Sequence, residues 1–172
     1  MQLRPLLAKF DTVASFFQSP LLLAIRLYWG ISFTLTGWGK LMDLDQTARN
    51  FASFAIPLPK LNAVLAGSTE CVGGALLALG LFARPASLPL IVTMTVAYLT
   101  AERDSVRPMV NDLRHFVHHF DFASLSSAFT DADKFVTATP FLFLLASLIV
   151  LVFGPGKLSL DALFFKKSAS GQ

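Results

Sequence analysis

Three charged residues fall within otherwise apolar blocks of this chain, and the two deepest are of types that hydrogen-bond or move protons. Arg26 falls in the run from Leu21 to Met42, and Glu70 in the run from Leu61 to Phe82. A charge at the centre of a spanning helix costs roughly 2.5–3.5 kcal/mol on insertion scales. Such residues therefore face a bundle interior and compensate one another. At 1.5 Å of rise per residue, Arg26 lies roughly 9 Å and Glu70 roughly 18 Å from the same end of their spans. Two extended side chains bridge that gap, so Arg26 is the expected partner of Glu70. Lys40 lies about 12 Å beyond Glu70 on the same scale, at the expected outer mouth. Arg26, Glu70 and Lys40 thus make a candidate intramembrane polar site. It is a buried ion pair that fixes packing, a site that hydrogen-bonds a quinone or relays a proton, or a set of charges that snorkel to the membrane surface.

Other chemistry-bearing residues are sparser. His115, His118 and His119 contain an i, i+4 pair beside Asp112. Catalytic and structural metal sites need three or four placed ligands, so no metal is assigned, with His115 and His119 as weak candidates. Asp104 follows the third apolar block and is expected at the mouth of the bundle or in solvent. Cys71 is the sole cysteine, which excludes a thiol pair within the chain. No phosphate loop, nucleophile elbow or haem-attachment motif occurs, so no catalytic residue is assigned and no covalently bound cofactor is expected. The lysines and arginines are scattered at a net charge of +3, which argues against nucleic-acid binding.

The elements that hold these residues are apolar helices. Hydrophobic residues make up 54% of the 172 residues and charged ones 15%. Soluble domains are about a quarter charged, and blocks of about 18 or more apolar residues read as membrane spans. The expected fold is an all-α membrane protein, a single domain over 1–172 built as a bundle of four transmembrane helices. The spans are predicted at about 21–42, 61–82, 86–101 and 135–153. Residues 1–19 are predicted to form an amphipathic interfacial segment, with Leu3, Leu6, Leu7, Phe10, Ala14 and Phe17 at helical spacing. Ala83-Arg84-Pro85 is the expected turn between the second and third spans. Residues 102–134 form a long extracytoplasmic loop, in which Val110 to Phe120 suits a short interfacial helix. Thr130 is the expected N-cap of a helix that continues into the fourth span. Tyr28, Trp29, Trp38 and Tyr98 suit interface or lipid-facing positions.

Spacing assigns inner faces. Arg26, Gly30, Phe33, Gly37 and Lys40 recur at four, three, four, three, along one helix stripe. Ala66, Glu70, Gly74 and Ala78 recur every four residues, a small-residue stripe that lets a neighbouring backbone approach. Gly30, Gly37 and Gly74 are therefore expected at helix contacts. Lysine and arginine counts tie between the two sides. Several on the second side lie in the long loop, where the positive-inside rule weakens, so the expected orientation is N-in and C-in.

The order of these motifs is similar to the DoxX family of small bacterial membrane proteins. AIRLYWGISFTLTGWGKLMD at 24–43 resembles that family's first helix. IPLPKLNAVLAGSTECVGGALLALGLFARPAS at 56–87 resembles its second, with Glu, Gly-Gly and Gly-Leu-x-x-Arg. PFLFLLASLIVLVFGPGKLSLDAL at 140–163 resembles its closing helix and Gly-Pro-Gly-x-x-Ser-x-Asp end. The resemblance implies a four-helix protein of the cytoplasmic (inner) membrane that works with a redox partner protein. Relatives include a subunit of a thiosulfate:quinone oxidoreductase and membrane partners of oxidative-stress enzymes. It marks Arg26, Gly37, Lys40, Glu70, Gly74, Arg84 and Asp161. The expected role is a subunit of a quinone-linked or oxidative-stress redox complex, with electrons arriving from the partner and a homo-oligomer allowed. The alternatives are a non-enzymatic scaffold whose Arg–Glu pair is structural, and a small-solute transporter.

Overall fold

Long apolar runs without interior glycine–proline breaks satisfy their backbone hydrogen bonds internally, which is what a lipid environment demands. In the computed structural model, which describes residues 3–165, every element is a helix. These are α1 (Leu3–Met42), α2 (Leu44–Ser53), α3 (Pro59–Leu79), α4 (Ala83–Thr100), α5 (Arg103–His119), α6 (Phe122–Thr137), α7 (Pro140–Phe153) and α8 (Leu160–Phe165). Ser15–Met42 and Pro59–Leu79 are long and apolar enough to cross a membrane, and α6 with α7 would add a third crossing if that bent pair is one span. The 18 residues of α4 and the 14 of α7 reach about 27 and 21 Å, short of a hydrocarbon core of about 30 Å.

Several boundaries differ from the sequence expectation. The interfacial segment and the first span are one helix, because α1 runs through Pro20. A proline inside a helix removes one hydrogen bond, and membrane helices tolerate that loss. The amphipathic face expected of residues 3–14 lies outside the described side chains. The polar stretch after α1 contains α2, whose N-terminus Asp43 caps by accepting from the Gln46 amide at 3.0 Å. The turn after α3 is Gly80-Leu81-Phe82 rather than Ala83-Arg84-Pro85; Arg84 and Pro85 sit in the first turn of α4, where proline's missing N–H is harmless.

The largest revision concerns residues 102–134. They form a helical hairpin, α5 against α6, and not a loop around one short helix. Asp121 caps α6 in place of Thr130, accepting from the amides of Ala123 at 3.1 Å and Ser124 at 3.3 Å. These bonds, led by the Ala123 amide, hold the Asp121 carboxyl below the usual aspartate range. The chain breaks again at Ala138, with α6 and α7 bent by 86°. Ala138 is extended at φ −62° and ψ 139°, and Pro140, with no N–H to bond the Val136 carbonyl, opens α7 in its first turn.

Packing follows the small residues. α1 packs chiefly on α3, and α4 on α7. Phe33, Leu77, Ala83, Leu90, Met94 and Val150 form the buried cluster that joins the four. Phe143 of α7 meets Phe33 and Trp29 edge-on, at centroid distances of 4.6 and 5.0 Å. Tyr98, expected at a lipid face, is buried; it stacks on Phe135 and donates to the Phe135 carbonyl at 2.8 Å.

Candidate functional site

Register between α1 and α3 decides which charges meet. A Cβ at Gly37 would lie 2.3 Å from the Cys71 amide nitrogen and 2.6 Å from the Gly67 carbonyl oxygen. A Cβ at Gly30 would lie 2.6 Å from the Ala78 nitrogen, and one at Gly74 would lie 2.7 Å from the Gly30 carbonyl oxygen. Backbone meets backbone along this whole seam, as small-residue helix contacts permit. Because the helices run antiparallel, a register with Gly30 against Ala78 and Gly37 against Cys71 sets Glu70 level with Trp38 and Arg26 level with Phe82. Glu70 is therefore within one turn of Lys40, roughly 3 Å along the axis, and far from Arg26.

Lys40 and Glu70 form the ion pair. The Lys40 Nζ donates to both carboxylate oxygens, at 2.6 Å to Oε2. Glu70 is 1% exposed, whereas the Lys40 side chain is 32% exposed. The expected Arg26–Glu70 pair does not form. Lys40 stands in the last turn of α1, where a cation also meets the negative end of the helix dipole.

Arg26 belongs to a separate cluster at the other end of the bundle. It is fully buried and its Nη2 donates to the Leu158 carbonyl. Among the described residues its Nε and Nη1 have no hydrogen-bond partner. The Asp161 carboxylate acts on it electrostatically and offsets part of the cost of burying the guanidinium. Asp161 itself accepts from the amides of Phe82 at 2.9 Å and Ala83 at 3.2 Å, and so caps α4; its own amide donates to the Gly80 carbonyl at 3.0 Å. Gly80 adopts φ +67°, and a Cβ there would fall 1.7 Å from Arg26 Nη1, so only glycine fits. Arg84 donates to the Val152 carbonyl at 3.4 Å and lies against Gly154. The middle of α1, the α3–α4 turn and the chain after α7 are tied together here. Removing the cap with Asp161→Ala is expected to cost about 1 kcal/mol, as N-cap losses do. A thermal melt in detergent, with Asp161→Asn as a partial rescue, checks this.

A cavity of about 490 Å³ opens beside the Lys40–Glu70 pair. Its walls come from α1, α2, α3 and α4 and are mostly apolar, with Thr47, Asn50, Asn62, Thr69 and Thr93 as polar points. Thr47 fixes α2 over the pair by donating to the carbonyls of Asp43 at 2.9 Å and Lys40 at 3.2 Å. Volume and lining match small-molecule sites, which run about 300–1,000 Å³ and are apolar with a few placed polar groups. The sequence reading missed the contributions of α2, Asn62 and Thr69. A usable signal was the Asp43 cap ahead of a period-3.6 segment.

The remaining candidates disperse. Asp104 is exposed in the first turn of α5 and is absent from the cavity wall. The rings of His115 and His119 lie 4.5 Å apart, and His115 Nδ1 meets the Ser124 hydroxyl at 2.9 Å. Among the described residues no group of three His, Cys, Asp or Glu side chains converges as a metal site would require.

Helices alone among the described residues, long apolar spans and a buried glutamate ion-paired between them define an α-helical integral membrane protein. The comparisons with known proteins agree with that class. The model of the family described as DoxX matches residues 21–103. The chain is 30% identical over 152 residues to "Uncharacterized membrane protein Rv3486" of Mycobacterium tuberculosis (strain ATCC 25618 / H37Rv), covering 88% of this chain and 85% of that one. It is 29% identical over 147 residues to "Inner membrane protein YphA" of Escherichia coli (strain K12), covering 82% of this chain and 88% of that one. No solved structure matches. The chain belongs to the DoxX family.

Proposed function

We propose that this protein is an inner-membrane subunit of a quinone-linked redox complex, and that the cavity beside Lys40–Glu70 takes the quinone head group. The observation that carries the reading is a fully buried glutamate, ion-paired to lysine, in the wall of an apolar cavity of about 490 Å³. An ammonium has three N–H donors, and two are directed at Glu70. The third suits a quinone carbonyl, and Glu70, once it has taken up a proton from the aqueous side, would hand that proton to the reduced quinone. Electrons come from a partner protein.

The proposed topology is four crossings, by α1, α3, α4 and α7, with both termini on the cytoplasmic side. Its support is that Arg26, the Gly80–Phe82 turn and Gly154–Asp161 meet at one end of the bundle. Lys40, Thr100 and Ala101 share the cavity at the other. The 14 residues of α7 require local thinning of the bilayer, a modest cost for a short span.

The test is extraction of lipid-soluble cofactors from the protein purified in its native lipids. Quinone should accompany the wild type and be lost from Lys40→Met and Glu70→Gln variants that still fold. Wild-type protein without quinone, or variants that retain it fully, would overturn the assignment.

A further inference from the structure

α5 is too charged to cross a bilayer, with Arg103, Asp104, Arg107, Asp112 and Arg114 in 17 residues. Yet it presents an unpartnered apolar stripe. Val110, Leu113 and Val117 recur at three and four, and are 48%, 47% and 61% exposed. At the hairpin tip Phe120 and Phe122 are 78% and 77% exposed. α6 does not cover this stripe; it meets the opposite face of α5, through His115 and Ser124. At 100° per residue, Arg103, Arg107 and Arg114 fall together along the edge of the stripe, while Asp104 and Asp112 fall away from it. A large moment, arginines at the polar edge and bulky apolar residues on the other face describe a helix that lies in the bilayer interface.

A second feature lies at the root of this helix. A cavity of about 310 Å³ sits at the α4–α5 elbow, lined by Tyr98, Leu99, Arg103, Val106 and Arg107. Arg103 donates its Nε to the Leu99 carbonyl at 2.8 Å, which anchors the guanidinium beside the cavity. Two guanidinium groups beside an apolar wall match the chemistry of a lipid phosphate with its acyl chains. Arginine holds phosphate bidentately, and basic clusters next to a span attract anionic lipid.

We propose that α5 lies flat in the membrane interface and that Arg103 and Arg107 hold the phosphate of an anionic phospholipid at the α4–α5 elbow, with Arg114 on a neighbouring headgroup. This rests on α4 reaching the membrane surface near Thr100, and it is independent of any quinone.

The test places single spin labels in the full-length protein in bilayers of phosphatidylcholine with phosphatidylglycerol. The variants are Val117→Cys, His118→Cys and Val92→Cys, each on Cys71→Ala. Position 117 should resemble position 92 in the middle of α4, accessible to oxygen and shielded from an aqueous nickel chelate, while 118 shows the reverse. Arg103→Gln with Arg107→Gln should abolish the preferential retention of phosphatidylglycerol over phosphatidylcholine in native mass spectrometry. Inorganic phosphate should not displace the lipid. A water-exposed 117 beside a lipid-exposed 92 would overturn the interfacial helix while leaving the topology standing. Unchanged lipid retention in the double variant, or displacement by inorganic phosphate, would overturn the headgroup site.

Discussion

Gly37→Ala is expected to force α1 and α3 apart and to destabilise the protein by about 1–3 kcal/mol or more, the range for overpacking a filled contact. The added methyl would meet backbone atoms of Gly67 and Cys71 at 2.3–2.9 Å, and backbone in a helix cannot rotate out of the way. Gly74→Ala should behave alike, since its Cβ would meet Phe33, Gly30 and Thr34 at 2.6–2.7 Å. Gly39→Ala supplies the control, two residues along the same helix. Nothing lies within 4 Å of a Cβ there, so alanine should be neutral or stabilising by up to about 1 kcal/mol, the usual gain over glycine in a helix interior. Denaturant titration in mixed micelles measures all three. Equal behaviour at positions 37 and 39 would contradict the backbone contact.

The second large effect is expected at the ion pair. Lys40→Met leaves a carboxyl that is 1% exposed without its cation, and breaking a buried pair from one side costs roughly 3–5 kcal/mol. Glu70→Gln should cost less. The lysine it strands is about one-third exposed and sits at a helix end, so its ammonium can turn toward headgroups and water. The ordering, with Lys40→Met the worse, is the feature to measure by thermal unfolding. The double exchange Lys40→Glu with Glu70→Lys should recover much of the lost stability. It separates two roles for the pair. A purely structural pair, as in a scaffold, recovers folding and function together. A pair that binds quinone and moves a proton recovers folding alone, because the donor and the acceptor have changed sides of the cavity.

Hydrophobic blocks and the types of the residues inside them were legible without coordinates. Burying a charge in lipid is costly wherever the helix ends, so Arg26 and Glu70 had to face inward, and both are buried. Small residues four apart needed a close neighbour for the same local reason. Helix limits were less legible. α2 and much of the α5–α6 hairpin are polar enough to pass for loops; Val110 to Phe120 was legible as a helix, and the caps at Asp43 and Asp121 mark the starts of α2 and α6.

The chain by itself thus determined that it enters a membrane, that its elements are helices, and which stripes of α1 and α3 face inward. These follow from composition and from periodicity within a single helix. Tertiary structure alone decided the partner of each charge. Block boundaries set Leu21 level with Phe82, whereas the glycine seam sets Arg26 there. That shift of roughly five residues, about 7.5 Å along the axis, exceeds the difference that favoured Arg26 over Lys40. Register between two helices is set by where backbones can touch, and here that is at Gly30, Gly37 and Gly74. The result gives Glu70 to Lys40, joins the pair to a cavity closed by α2, and leaves Arg26 to tie α1 to the chain after α7.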